Sequence, residues 1–409
     1  MKYGVIADDF TGAGDVSLQF RRNGFKTTII TKFNRFLVSN VIKHADVTIF
    51  DTETRNSSSN EAYKTVKEVA AIIKDIGIEL VYKKIDSTMR GNIGAELDAI
   101  LDESIKNFSI VAPALPEAQR ATIGGYHFVK WRLIEQTEFA KDPLKPVKES
   151  SLMKIISSQS KRIVAHIPLT YVVKGLEALR HEVNAKLKEG AEIIVVDAIT
   201  QEDLQTVAQA CKVLNALPCG SSGLAENVAE FLEGFEKRSL AIFSSSINPT
   251  FMKQVEEVKK HNVTLIELNT SKLFKRRLME AELKSIETQI NEALRRKRDV
   301  ILKLKKFESS INPKLSELIR EAITQLVENT IKNGKIKGLI LIGGDTAFSV
   351  IKKLRASILN VNGEAEFGAP VITIASGKHK GMKLITRPGG FGSKTSLINM
   401  IKRFKCELN

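Results

Sequence analysis

The chain has 409 residues, of which 43% are hydrophobic and 27% charged, and a formal net charge of +15. This mixture excludes a disordered polyelectrolyte and leaves room for two ordinary domains. No apolar run approaches the roughly 20 residues of a membrane span, and the run ahead of the first acids in "MKYGVIADDF" is too brief for a signal h-region, so a soluble, cytoplasmic protein is expected.

"YGVIA" (3–7) predicts a first strand, with a helix near 13–23 behind it. Strands follow at "KTTIIT" (26–31), "VTIFD" (47–51), "ELVYKKI" (79–85) and "SIVAPA" (109–114), with helices expected over 60–76 and 92–104. Such alternation predicts a parallel sheet covered by helices on both faces. Ligands in that architecture bind outside the carboxyl ends of the strands. Polar residues collect there: Asp8 and Asp9, then "DTETR" (51–55), "KKIDSTMRG" (83–91) and "APALPEAQR" (112–120). Helix caps such as Thr11 and Ser87 explain part of this polarity. They do not explain Arg55, Lys84 and Arg90 beside Asp8, Asp9 and Asp86. A rim carrying both charge signs suits a small polyhydroxylated anion, with cations for its carboxylate and carboxylates for its hydroxyls.

A less regular section over 121–160 holds the sole tryptophan, Trp131, and the proline-broken "KDPLKPVKES". Alternation resumes with "RIVAHIPL" (162–169), a helix over 175–189, "EIIVVDAIT" (192–200), a helix over 202–215 and "PCGSSGLAENVAEFL" (218–232). "GFEKRS" (234–239) reads as a linker, which places a domain boundary near 237. The second part begins with "LAIFSSS" (240–246), a helix near 250–261 and "VTLIEL" (263–268). A charged helix is expected within 272–299, where acids interleave with bases at helical spacing and predict an ion-paired, solvated face. "DVILKL" (299–304), a helix over 313–333, "GLILIGGDTAFSVIKKL" (338–354), "PVITIA" (370–375) and "LITRPGGFGSKTSLINMI" (384–401) complete a second α/β unit.

Two glycines at the end of the strand in "LILIGGDTAFSVI" allow close backbone approach, and the helix behind them offers amide donors to phosphate. "TRPGGFGSKTSLI" places three glycines within four residues, and "FSSSINPTF" (243–251) is a third polar strand exit in the same unit. Nucleotide phosphates are therefore the expected ligand. The loop is not a Walker A motif, because Ser393 separates the last glycine from Lys394. "TGAGDVS" is not a Rossmann fingerprint, because Ser17 falls where the third glycine belongs. "CGSSGLA" is not a nucleophile elbow, and isolated His127 and His166 read as structural.

The positive charge is spread along helices, and no aromatic RNA-binding motif, zinc finger or basic tail accompanies it. A general field that concentrates anionic substrates is the expected consequence rather than nucleic-acid binding. Cys211, Cys219 and Cys406 form no paired motif, which fits a reducing compartment.

The set "IADDFTGAGD", "DTETR", "KKIDSTMRGNIGAELDAI", "APALPEAQRATIGGYHFV", "IFSSSINPTF", "LIGGDTA" and "TRPGGFGSKTSLI" resembles, in order, the four-carbon acid sugar kinase family, over residues 3 to 400. The resemblance implies phosphorylation of threonate, erythronate or 3-oxo-tetronate at the terminal hydroxyl by ATP. It implies a sugar-acid domain over 1–236, a nucleotide domain over 237–409, each with a mainly parallel sheet flanked by helices, and a reaction in the cleft between them. Carried over by position, it implies substrate contacts from Asp9, Arg55, Lys84, Asp86, Ser87, Thr88 and Arg90, to which the rim adds Asp8. It implies ATP contacts from Ser244, Gly343, Gly344, Asp345, Thr346, Gly389 and Gly390, to which the strand exits add Ser246 and Gly392. The chain departs from the family at Ser245 (usually glycine), Ile247 and Asn248 (a cysteine-serine pair), Gln119 (glycine) and Arg387 (lysine). Ser245 is placed to crowd a nucleotide phosphate or ribose, and arginine at 387 changes a point donor to a planar fork.

In-line phosphoryl transfer, usually with Mg²⁺, is the chemistry that follows. Asp9 or Asp86 is expected to orient the acceptor hydroxyl and take its proton, with Asp8 and Asp15 behind them; Asp345 either reaches Mg²⁺ or caps its helix. The alternatives are a kinase of another small hydroxy acid or sugar, and a ligand-binding regulator on the same fold without turnover. A homo-oligomer is compatible with the sequence.

Overall fold

The computed structural model describes residues 2–232, 239–259, 263–296, 298–305, 312–333, 336 and 338–407. The expected linker, apart from Ser239, lies outside the described residues. The chain divides into two compact units, Met1–Glu236 and Lys237–Asn409.

The strands of the first unit are β1 (Tyr3–Ala7), β2 (Thr27–Ile30), β3 (Val47–Asp51), β4 (Glu79–Lys84), β5 (Ser109–Ala112), β6 (Arg120–Ile123), β7 (Tyr126–Val129), β8 (Arg132–Leu133), β9 (Val164–Ile167), β10 (Ile193–Val196) and β11 (Leu217–Gly220). Eight of them form one parallel sheet in the order β2-β3-β1-β4-β11-β5-β10-β9. Helices cover both faces, so the strand interiors are apolar at successive positions. On one face Val5, Val47 and Ile49 pack with Val16 and Phe20 of the helix Phe10–Arg22 and Val207 of Gln201–Leu214. On the other, Ile6, Phe50 and Leu80 pack with Val66 and Ile73 of Ser59–Ile76 and Leu97 of Ile93–Asp102.

Local chemistry moves several expected boundaries. The first helix begins at Phe10, not near 13, because Asp9 rather than Thr11 caps it, accepting from Gly12 N at 2.9 Å. Ser87 caps nothing: the helix after β4 starts at Ile93, and Asn92 at its N-cap turns its amide to Thr54 O and Ser57 O instead. A short helix, Arg35–Val41, stands between β2 and β3 where none was expected. The section over 121–160 is also more ordered than its sequence suggests. There β6, β7 and β8 form an antiparallel sheet, turned at Gly124 and Gly125 with positive φ of 61° and 78°. The buried Asp197 carboxylate accepts from both glycine amides, at 2.6 and 3.0 Å, and so holds the turn.

The second unit comprises β12 (Leu240–Ser244), β13 (Val263–Leu268), β14 (Asp299–Leu304), β15 (Gly338–Ile342), β16 (Leu359–Glu366), β17 (Ala369–Ile374) and β18 (Lys383–Arg387). Their order is β13-β14-β12-β15-β18-β17-β16, parallel through β18 and antiparallel across the last two pairs. Strand β16 is unexpected, since "LNVNGEAE" lies at the sheet edge with most residues exposed and has no apolar alternation to announce it. The charged helix is Arg276–Arg295, shorter than 272–299, because a 3-10 turn precedes it and β14 begins at Asp299.

Each unit therefore has a parallel sheet whose first strand lies between the third and fourth, β1 between β3 and β4, and β12 between β14 and β15. That reversal of strand order opens a crevice at the carboxyl ends. The polar strand exits meet at these crevices.

Candidate functional site

In the first unit the register sets Ala7 beside Asp51 on one side and Lys84 on the other. Asp8 and Asp9 leave β1 at this point, and Arg55 reaches both. Its Nε and Nη2 donate to the two oxygens of Asp8 at 2.8 and 2.9 Å, and its Nη1 and Nη2 donate to those of Asp9, each at 2.6 Å. Asp8 is 1% exposed, and the guanidinium supplies the donors and the opposite charge that a buried carboxylate needs. Burial would lower the Arg55 pKa, but Asp8, Asp86 and Asp9 outweigh it and raise it.

The two candidate proton acceptors differ sharply. Burial would raise Asp86, but Arg90 Nε at 2.6 Å, the Thr88 hydroxyl and nearby Arg55 hold it well below the ordinary carboxylate range. For Asp9 burial wins, aided by Asp8 and opposed by Arg55, and its pKa is raised. Asp9, Arg55 and Arg90 line a cavity of about 260 Å³ with Glu53, Asn56 and Asp142. The other expected contacts are close by but buried. Lys84 Nζ donates to Ile85 O at 3.0 Å and approaches Gly12, where a Cβ would lie 3.1 Å from Nζ and 2.5 Å from Asp9 Oδ1. Ser87 accepts from Arg120 through its hydroxyl and from the buried His127 through its carbonyl.

Several residues of this cluster were not among the contacts expected from the sequence. Asp142, from the proline-broken connection, accepts from Arg90 Nη1 at 3.0 Å. Arg90 and Arg120 each lie 5.6 Å from the ring centre of Phe139, whose face favours cations. Beneath the rim Lys83 pairs with Glu96 at 2.6 Å, and Thr54 donates to Glu96 Oε1 at 2.6 Å. Burial lowers the His127 pKa to about 4, so the imidazole is neutral, and its Nε2–H donates to Ser87 O at 2.8 Å.

Asp51 is the anomaly of the rim. It is 2% exposed, and neither carboxylate oxygen has a hydrogen-bond partner among the described residues. Burial, with the charges of Glu53, Asp9 and Asp8 nearby, outweighs the weak approach of the Glu53 amide, which falls short of full hydrogen-bond geometry, and pushes its pKa from 3.8 up to about 6. The folded state thus keeps a proton that the unfolded chain releases. Stability falls as pH rises between these two values and stays reduced above the upper one. Asp51→Asn is expected to raise stability above the upper pKa by about 1–2 kcal/mol and to flatten this slope. Urea unfolding on either side of the window checks it, and an Asn variant no more stable than wild type at neutral pH would refute it.

In the second unit the register aligns Ser244 with Ile342 and Ile342 with Arg387, so all three phosphate-type strand exits lie side by side. Gly343 N donates to Arg387 O at 2.9 Å, and Ser246 N to Ser244 Oγ at 3.1 Å. Gly389 must be glycine, since a Cβ there would fall 1.9 Å from Ser246 Oγ. The Ser245 hydroxyl is tied down, accepting from Thr346 Oγ1 at 2.7 Å, and Asn248 caps the helix Pro249–Val258. Gly343, not Asp345, occupies the N-cap of Gly344–Lys353, and Asp345 stands exposed in the first turn. Among the described residues no group of three or more His, Cys, Asp or Glu is placed to hold a metal ion, and no helix is long and apolar enough to cross a membrane.

Comparison with known proteins follows the same division. Residues 3–228 match the family described as a sugar-binding N-terminal domain, and residues 241–397 match the nucleotide-binding C-terminal domain. The chain is similar to the D-threonate kinase of Salmonella typhimurium, at 30% identity over 421 residues covering 98% of each chain. It is similar to the D-erythronate kinase of Heliobacterium modesticaldum, at 28% identity covering 95% of this chain and 94% of that one. It is also similar to a 3-oxo-tetronate kinase of Pseudomonas savastanoi pv. phaseolicola, at 23% identity covering 98% and 96%. Among solved structures, a domain of unknown function from Bordetella bronchiseptica, crystallised with bound citrate as a domain-swapped dimer, superposes with a TM-score of 0.73 at 25% identity over 99% of both chains.

Proposed function

The chain belongs to the four-carbon acid sugar kinase family, and from that membership we propose that it transfers the terminal phosphoryl group of ATP to the terminal hydroxyl of threonate, erythronate or 3-oxo-tetronate. The observation that carries this is the cluster of Asp9, Arg55 and Arg90 around one cavity at the carboxyl edge of β1, β3 and β4, with Asp8 buried against Arg55. Arg55 and Arg90 are the cations for the acid's carboxylate. Asp9 is the acceptor of the hydroxyl proton, because its pKa is raised and it lines the cavity, whereas Asp86 is held well below the ordinary carboxylate range by Arg90, Arg55 and Thr88 and is not among the residues that line it. Lys84, Asp86, Ser87 and Thr88 hold the wall behind the substrate.

Phosphoryl transfer asks the protein mainly to position the reactants and stabilise charge. Ser244, Ser246, Gly343, Gly344, Thr346, Gly389, Gly390 and Gly392 form the phosphate side of the nucleotide site, through hydroxyls and backbone amides at three adjacent strand exits. Mg²⁺ typically needs only one or two carboxylates besides the nucleotide phosphates. Exposed Asp345, in the first turn of the helix after β15, fits that role, and the ion would supply charge neutralisation there. The unpaired, buried thiols of Cys211 and Cys219 support a cytoplasmic setting, and the dimeric relative supports a homo-oligomer.

Release of ADP from Mg·ATP, followed with D- and L-threonate, D- and L-erythronate and 3-oxo-tetronates against glycerate and ribose, tests the proposal. Saturable turnover confined to four-carbon acids is expected. Turnover on glycerate or ribose instead, or ATP binding without turnover on any of these acids, would reject it.

A further inference from the structure

Arg387 closes β18 at 2% exposure, the largest fully buried side chain among the described residues. Its Nη2 donates to Gln254 Oε1, yet Nε and Nη1, both buried, have no hydrogen-bond partner among the described residues. Buried polar groups are almost always satisfied, and a buried cation with two idle donors is costly unless something supplies the acceptors. The acid that acts on it, Glu366, has its Oε1 engaged by the Ser396 hydroxyl at 3.0 Å.

The guanidinium lies against the glycine-rich loop. A Cβ on Gly392 would be 3.2 Å from Nη1 and 2.6 Å from the Ser396 side chain, so that nitrogen lies beside the loop backbone, next to Ser396. Gln254 joins the two, since its Nε2 donates to Phe391 O at 3.0 Å and Ser393 O at 2.8 Å while its Oε1 holds Arg387. Arg387 also belongs to the row of strand ends formed with Ser244 and Ile342, and its carbonyl receives Gly343 N.

We propose that Arg387 is a phosphate-binding residue, whose unpartnered Nε and Nη1 take anionic oxygens of a nucleoside di- or triphosphate. The planar fork of a guanidinium matches two phosphate oxygens at once. The site opens by a shift of the loop over 388–395, which Gly389, Gly390 and Gly392 permit. Gln254 holds the guanidinium in the meantime, so the arginine is preset when the anion arrives. The proposal rests on the nucleotide-binding role given to this unit above.

Calorimetric titration of the full chain with adenosine, ADP and ATP tests it, comparing wild type with Arg387→Met, Arg387→Gln and Arg387→Lys. The Met and Gln variants are expected to bind ADP and ATP about 10–100-fold more weakly, as for loss of a charge-assisted contact, with adenosine affinity unchanged. The Lys variant is expected to recover part of the loss. Should the Met variant fail to fold, the Gln variant carries the same comparison, and unchanged adenosine binding certifies its site. Wild-type affinity for ADP and ATP in a folded variant without the guanidinium would overturn the assignment of Arg387 alone. Equal weakening of adenosine, ADP and ATP would also overturn it, since that is the pattern of a merely structural residue. A wild-type chain that binds none of the three would overturn the nucleotide role of the unit as well.

Discussion

Replacing Arg55 with methionine is expected to abolish useful turnover, lowering kcat/KM by about 10³-fold or more, and to destabilise the first unit by about 3–5 kcal/mol. Arg55 makes hydrogen bonds to both oxygens of Asp8 and both of Asp9, and its removal strips Asp8, at 1% exposure, of its hydrogen-bonded cationic partner. Breaking one side of a buried pair costs far more than the intact pair contributes. Catalysis suffers separately, because the proposed carboxylate contact goes and Asp9 loses the fork that orients it. The two effects can be told apart with Arg55→Met combined with Asp8→Asn. Removing the stranded charge should return much of the stability but none of the activity. Urea unfolding and ADP release measure each property, and an Arg55→Met chain with wild-type KM and stability would end the assignment.

Lys83→Met is the second large effect, with an expected loss of about 3–5 kcal/mol. Lys83 and Glu96 are 0% and 1% exposed at their side chains and 2.6 Å apart. Burial alone would lower the Lys83 pKa, but Glu96 and Asp8 outweigh it and hold the ammonium charged. Glu96 is also the acceptor for Thr54, which in turn bonds Thr52 at 2.8 Å, so this carboxylate carries the loop that delivers Arg55. Lys83→Met with Glu96→Leu should regain most of the stability, since an apolar pair of similar volume needs no desolvation. Substrate KM should stay raised in the double variant, because Thr54 has lost its acceptor. A double-mutant cycle on unfolding free energy and KM checks both statements. Strict additivity of the two stability losses would show that the pair is not coupled.

Much of the molecule was legible from local order. The strands of both parallel sheets are dense apolar runs, and the helices between them repeat at helical spacing, because each backbone imposes its own period on whatever must be buried. Acids after β1 and glycines after β15 and β18 stood out because a buried run that ends in carboxylates or glycines has left the core for a purpose other than packing. Where the pattern was weak the expectation failed. Edge strand β16 buries few of its residues, and the β6–β8 sheet is built from strands of two to four residues that are too short to show a period.

The residues themselves thus determined the two α/β units, the family and the rim on which chemistry should be sought. Tertiary structure alone decided what each of them does there. Arg55 meets Asp8 from 47 positions away, Asp142 meets Arg90 from 52, and Gln254 meets Arg387 from 133. Asp9 and Asp86 are indistinguishable as letters, yet one is raised by burial and the other lowered by its arginine and threonine partners. Sequence records which groups are available, whereas pKa, pairing and exposure depend on the low-dielectric surroundings that distant segments build around them.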